Sequence, residues 1–466
     1  MSPETIRTLG ELRASGHEYR SVKEELRGNL LARMRAGAPR FPGIVGFDDT
    51  VLPEVERALL AGHDMVLLGE RGQGKTRVIR SLVNLLDEWT PVIAGSELNE
   101  HPYHPLTPAS QKQAEEMGDD LKIRWLHRSM RYGEKLATPD TSVGDLIGDI
   151  DPIRVAQGRT LGDPETIHFG LVPRTNRGIF AVNELPDLAE RIQVSLLNVL
   201  EERDIQVRGY QLRLPLDLLL VASANPEDYT NRGRIITPLK DRFGAEIRTH
   251  YPVDLDLELA LIRQEARLVA EVPDHVLDVV ARFARAVRES PAVDARSGVS
   301  ARFAIAAAET VAASALRRSG LLDDENHAVA RVGDASSVVS TLRGKVEFES
   351  GEEGREIEVL AHLLRTATAE TFRARLSGLD LSGFTEVVAD GTIIESGDLV
   401  GGGELLRQVG TVPGLAKVLE RLGFDDAPTP GQAAAGVEFV LEGLHLTRRL
   451  SKALTDEGRT LYGSRE

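Results

Sequence analysis

The chain has 466 residues, room for two to four domains at the usual ~100–200 residues each, and its 41% hydrophobic and 27% charged content is that of a globular protein rather than a disordered or fibrous one. Lys and Arg number 56 against 72 Asp and Glu, and the resulting formal charge of −16 opposes indiscriminate binding to phosphate backbones or anionic lipid, so no specific nucleic-acid partner is expected. There is no cysteine, which excludes disulfides, thiolate zinc sites, iron–sulfur clusters and cysteine nucleophiles.

The N-terminus, MSPETIRTLGELRASG, lacks the apolar core of a signal peptide, and no run reaches transmembrane length. A cytoplasmic location without membrane insertion is the expectation. Residues 1–40 read as an N-terminal helical segment that Pro42 and Gly43 interrupt. Between 41 and 252 short β-type runs alternate with helical segments, the pattern of a parallel sheet flanked by helices, with an insertion at about 95–137. From 253 to 345 the helical period dominates and predicts an all-helical lid. The polar stretch KVEFESGEEGRE leads into a mainly helical C-terminal extension, 346–466, in which GVEFVLEGLHLTRRLSKAL is expected to be the closing helix.

Within the α/β region, DMVLLGERGQGKTRVIRSLVNLLDEW carries the pattern GxxxxGK[ST] from Gly69 to Thr76. MVLL precedes it as a strand, and Val78, Leu82, Leu85 and Trp89 follow at helical spacing. Glycines let backbone N–H groups turn towards phosphates, and the helix offers its positive end. Gly69, Glu70, Arg71, Gly72, Gln73, Gly74, Lys75 and Thr76 are therefore the candidate ATP-binding loop, with Lys75 directed at the β- and γ-phosphates and Thr76 at Mg2+. The alternative, a lysine-bearing turn without ligand, requires a match expected by chance on the order of 0.02 times in such a chain.

A second strand, GIFAV, ends in Asn183 and Glu184. Glu184 is the candidate catalytic base. Asn183 can accept a hydrogen bond from a metal-bound water but brings no charge, so indirect Mg2+ binding there should be weaker than with aspartate and hydrolysis slower. A third apolar run, LDLLLVASAN, ends at Asn225, whose amide can hold an attacking water against Glu184. In PLKDRFG, Arg242 either pairs with Asp241 or spreads charge stabilisation over a γ-phosphate, within the chain or across a subunit boundary. Arg302, in the first turn of a helix starting at SGVSAR, opposes the helix dipole and suggests an anionic partner over a plain structural role.

The order IVGFDD, GERGQGKT, GIFAVNELPDL, VASANPED, KDRFG and SGVSAR resembles AAA+ ATPases, in particular the branch of the magnesium-chelatase ATPase subunit and the MoxR-type ATPases, over roughly residues 40–320. The resemblance implies a P-loop AAA+ core, a hexameric ring with ATP between subunits, Asn225 as sensor 1, Arg242 as a finger acting in trans and Arg302 as sensor 2. Val45 of IVGFDD joins the nucleotide-contacting set. The hairpin around Arg208, Gly209 and Tyr210 would move with nucleotide state. Relatives of both kinds work with a separate protein carrying a von Willebrand factor A domain, whose metal site has the form DxSxS. Here Asp380 and Ser382 are followed by Gly383 and Phe384, so that partner is expected on another polypeptide.

Four functions compete: a motor that remodels a partner protein, the ATPase subunit of a magnesium chelatase acting on a porphyrin, a transcription activator, and a nucleotide-gated scaffold with little hydrolysis. The long C-terminal extension favours the first. No GAFTGA loop lies between the two nucleotide motifs, which counts against the activator. His101, His104 and His127 are a possible metal set within the insertion, set against ordinary loop histidines.

Overall fold

The computed structural model describes residues 5–151, 153, 156, 166–201, 205–207, 210–212, 214–226, 234–294, 298–322, 328–389, 391–424, 427–455 and 459–465. The chain divides into two compact units, the first ending at His250 and the second beginning at Tyr251.

The first unit contains eleven strands among its described residues: β1 (Met65–Leu68), β2 (Trp89–Ile93), β3 (Ile123–His127), β4 (Tyr132–Leu136), β5 (Gly148–Ile150), β6 (Ile167–Phe169), β7 (Gly178–Asn183), β8 (Ile205–Val207), β9 (Tyr210–Leu212), β10 (Leu218–Ala224) and β11 (Ala245–Arg248). Five form one sheet in the order β11-β1-β10-β7-β4, every pair parallel. Strands β1, β7 and β10 are buried along their whole length, as parallel strands covered on both faces must be. Their side chains alternate between two cores with the period of two that a strand imposes. Val66, Phe180, Val182, Leu220 and Ala222 enter one cluster, while Met65, Leu67, Ile179, Ala181 and Val221 enter the other.

The helix Val22–Ala36 starts at a capping box, Ser21 with Glu24, and places Val22, Leu26 and Leu30 in the second of these clusters. Its Glu25 forms a buried two-point ion pair with Arg131, both contacts at 2.7 Å, just before β4.

Two expectations change here. Trp89 does not continue the helix after the glycine-rich loop: the helix Lys75–Ser81 passes into a 3-10 turn, Leu82–Leu85, and Trp89 opens β2, which pairs antiparallel with β3. The stretch 95–137 is not all insertion, because β4 at its end is the edge strand of the main sheet. The hairpin read in IQVRGYQLRLP is present as β8 paired with β9; its Arg208 and Gly209 lie outside the described residues, and of Tyr210 only the backbone is described.

The second unit is mainly helical. Helices Leu255–Glu265, Asp274–Glu289, Ala301–Leu322 and Ser336–Leu342 share a core with Leu360 and Ala367 of the helix Glu356–Leu376. The alanines of Ala301–Leu322 let its neighbours approach closely, with Ala304, Ala307, Ala308 and Ala312 buried. The closing segment differs from a single helix. Pro430–Leu446 is helical, then Arg448 turns at φ 65° and the chain enters β13 (Leu450–Leu454) and β14 (Arg459–Ser464), which with β12 (Ile394–Gly397) make a three-stranded antiparallel sheet.

His275 in this unit is fully buried, its ring 4.8 Å from that of Phe439 and 5.8 Å from that of Phe424, and burial pushes its pKa down to about 3. The folded ring stays neutral, whereas the unfolded ring titrates near its ordinary 6.5. Its contribution to stability is thus complete above pH 6.5 and is lost as pH falls from there towards 3. A His275→Phe variant should lose less stability than the parent between pH 7 and pH 5 in urea unfolding; equal losses would count against this assignment.

Candidate functional site

The loop between β1 and the helix Lys75–Ser81 turns through Gly72 at φ 74° and Gly74 at φ 76°, a left-handed region that glycine enters without a Cβ penalty. Gly69 is needed for a different reason. A methyl group there would overlap Thr249 Oγ1 and Gln73 Oε1, which are themselves hydrogen-bonded at 3.0 Å. Gln73 Oε1 also accepts from the Glu70 N–H at 3.0 Å, so one side chain braces the loop from inside. Gly69→Ala is expected to destabilise the first unit by about 1–3 kcal/mol, read by thermal or urea unfolding.

Lys75 is buried and its ammonium spans the site. It donates to the carbonyls of Gly69 and Glu70, the latter at 2.9 Å, and to Asn225 Oδ1 at 2.7 Å. Asn225 follows β10 and turns its Nδ2 to Glu184 Oε2 at 2.9 Å. One continuous chain of hydrogen bonds, Lys75 to Asn225 to Glu184, therefore joins the loop after β1 to the ends of β10 and β7. The adjacency of these three strands in the sheet makes it possible.

Glu184 has left-handed backbone angles, φ 55° and ψ 48°, uncommon for a residue with a side chain and worth about 1–3 kcal/mol of strain. The turn is held by the Asp187 N–H on its carbonyl at 2.9 Å and by its own N–H on Ser223 Oγ at 3.3 Å. Asn183, buried, donates Nδ2 to Glu134 Oε1 at 2.5 Å and accepts at Oδ1 from the Ser223 hydroxyl at 3.2 Å. Glu134 stands on β4, one strand over. It also receives a two-point pair from Arg80 at 2.9 and 3.0 Å and the Tyr132 hydroxyl at 3.0 Å. Burial raises the Glu134 pKa, but these bonds outweigh it and hold the carboxyl below the ordinary glutamate range.

A cleft of about 350 Å3 opens beside the loop, lined by Gly69, Gln73, Pro226, Lys240, Arg248 and Thr249 among others. Val45 lies in the loop ahead of the helix Val51–Ala61, two residues past Gly43, whose carbonyl accepts from Arg77 Nε at 3.0 Å. Arg242, at the end of the helix Thr237–Arg242, pairs with Glu201 and not with Asp241 as one sequence reading had it; its side chain is about half exposed. Arg302 is exposed at the start of the helix Ala301–Leu322 and belongs to the second unit.

His101 and His104 stay together, their ring centroids 6.3 Å apart, whereas His127 lies elsewhere. His101 is buried with Nε2 3.3 Å from that of His17, and burial pushes its pKa to about 2, while His127 packs against Trp89. Among the described residues no group of three or more His, Asp or Glu is arranged to hold a metal ion by itself. Asp380 accepts from the Ser382 N–H at 3.0 Å, and Phe384 is buried, so that stretch starts a helix. Glu134, Arg80 and Ser223 were not singled out in the sequence: Ser223 lies inside VASANPED and Arg80 in the helix after GERGQGKT, at positions to which neither pattern gives a role, and Glu134 lies in no motif.

Known proteins resemble parts of this chain. The sigma-54 interaction domain matches residues 160–242, which hold Asn183, Glu184, Asn225 and Arg242. Magnesium-chelatase subunit ChlI of Cyanophora paradoxa is 30% identical over 206 residues, 43% of this chain and 56% of that protein. The chloroplastic subunit ChlI-2 of Arabidopsis thaliana is 28% identical over 233 residues, 49% of this chain and 52% of its own length. The chain thus spans about half the length of the curated relatives it matches. A structure of the magnesium-chelatase BchI and BchD complex aligns with 68% of this chain and 98% of its own at 21% identity, with a TM-score of 0.34. Among the described residues no helix is long and apolar enough to cross a membrane.

Proposed function

We propose that this chain, an AAA+ P-loop protein similar to magnesium-chelatase ATPase subunits, binds and hydrolyses ATP and uses the cycle to remodel a partner protein or complex. The observation that carries the reading is the Lys75–Asn225–Glu184 chain of hydrogen bonds, which brings a phosphate-binding cation, a polar relay and a carboxylate to one point at the carboxyl ends of parallel strands.

In this reading the β- and γ-phosphates take Lys75 from its carbonyl partners, and the N–H groups of Gly72, Gln73 and Gly74 cradle them. The oxygen donors at hand, the Thr76 hydroxyl with Asn183 and the nearby carboxylates, suit a hard cation that keeps most of its water, so Mg2+ fits the site. Bound there, Mg2+ would neutralise charge on the phosphate oxygens. Glu184 accepts the proton of the attacking water, and Asn225 orients that water against it. Arg242 acts as the finger of a neighbouring subunit in a hexameric ring, replacing its pairing with Glu201 by one with the γ-phosphate. Arg302 is sensor 2, and Val45 flanks the nucleotide. A separate protein with a von Willebrand factor A domain is the proposed partner, and the cytoplasm the proposed compartment.

Titration with a fluorescent ATP analogue and steady-state phosphate release test the reading; a purified chain that binds no nucleotide would end it. The second reading, the motor of a magnesium chelatase, is favoured by the 28–30% identity to magnesium-chelatase ChlI subunits. Magnesium insertion into a porphyrin by this chain with its partner subunits would put that reading first.

A further inference from the structure

In the proposed site the residue before the catalytic carboxylate is an uncharged amide, yet the negative charge is not missing from the neighbourhood. Glu134 on β4 places Oε1 2.5 Å from Asn183 Nδ2. A carboxylate only accepts, so the NH2 of Asn183 must face Glu134 and its Oδ1 must face the Ser223 hydroxyl, as observed. The amide at 183 is therefore matched to an acid on the adjacent strand: aspartate at 183 would put two carboxylates in hydrogen-bond contact, which cannot both ionise cheaply. Arg80, one helical turn beyond Thr76, holds Glu134 in a two-point pair that the Tyr132 hydroxyl joins, so both carboxylate oxygens are engaged and the exposed Arg80 must release one of them for a metal-bound water to take its place. Main-chain register fixes the arrangement, with Leu136 opposite Asn183 and the Ala137 N–H on the Asn183 carbonyl at 2.8 Å.

We infer that Glu134 supplies the anionic acceptor for the water shell of the nucleotide-bound magnesium ion, and that Asn183 is the residue that positions it. The inference rests on the ATP-site reading above. It gives this chain a relocated acid rather than a lost one, and so restores ordinary metal dependence to a site that the sequence alone reads as weakened.

The test is binding of a fluorescent ATP analogue with and without Mg2+ to the full chain and three variants. Glu134→Gln should bind the metal-free nucleotide like the parent but require roughly 10- to 100-fold more Mg2+ for the metal-enhanced affinity. Glu134→Gln/Asn183→Asp, which moves the charge back to 183, should recover the parent's Mg2+ dependence. Asn183→Asp alone should melt at a lower temperature than that double variant, a readout independent of nucleotide. Unchanged Mg2+ dependence in Glu134→Gln, or equal melting of Asn183→Asp and the double variant, overturns the inference while leaving the ATP site intact. A parent chain that binds no nucleotide with or without Mg2+ overturns both.

Discussion

Lys75→Ala is expected to remove measurable nucleotide binding while leaving the first unit folded. The buried ammonium donates to Gly69 O, Glu70 O and Asn225 Oδ1. Bonds from a charged donor are worth about 1.5–3 kcal/mol each. Two such bonds to phosphate oxygens amount to ~3–6 kcal/mol, or roughly 10²- to 10⁴-fold in affinity. Gly69 and Glu70, whose carbonyls the substitution releases, line the cleft beside the loop, so water entering where the ammonium stood can replace the lost bonds, and the folding cost is expected to be smaller than the binding cost. Isothermal titration with ATP and with ADP measures the first, and thermal unfolding the second. Micromolar affinity in the variant would refute the assignment of the phosphate site to this loop.

The strand, glycine-rich loop and helix around Gly69–Thr76 were legible because their constraints are local. Close approach to phosphate demands glycine at fixed spacing, and the fully buried strand before it demands an unbroken apolar run, so GERGQGKT after MVLL carries both signals in a dozen residues. GIFAVN and LLLVASA were legible for the second reason, being central strands covered on both faces. The edge strand Tyr132–Leu136 has no such run. Its residues are partly exposed throughout, and Tyr-Gly-Glu-Lys-Leu reads as loop, so Glu134 was hidden inside a supposed insertion.

The closing sheet was missed for a related reason. The helix Pro430–Leu446 gives way to β13 through Arg448 at φ 65°, a position where glycine or asparagine would have announced the turn and arginine does not. Trp89 shows the reverse case, a signal present and not weighed. Pro91 biases Thr90 towards extended geometry and cannot sit inside a helix, so the apolar spacing that reached Trp89 was a coincidence of period. Pairwise chemistry across strands, such as Asn183 with Glu134, is in neither class: 49 residues separate the two, and only the sheet order brings them together.

Glu184→Gln separates binding from hydrolysis, and its expected effect is of similar size to that of Lys75→Ala. Glutamine keeps the length of the side chain and an oxygen that can accept from Asn225 Nδ2, so the relay from Lys75 persists and nucleotide affinity should stay within a few-fold of the parent. The left-handed turn at 184 is no harder for glutamine than for glutamate, because the strain lies in the backbone and its restraints, the Asp187 and Ser223 bonds, do not involve the carboxylate. What is lost is the proton acceptor. General-base catalysis contributes about 10²- to 10⁴-fold, and phosphate release should fall by that factor. Steady-state phosphate release at saturating ATP, with affinity measured on the same preparations, reads the two effects separately. Equal release rates in both proteins would sink the hydrolase reading and leave a nucleotide-gated scaffold. A collapse of affinity together with rate would instead make Glu184 a brace for Asn225 and shift the search for the base to another carboxylate near the strand ends, of which Glu134 is the one the structure already places beside Asn183.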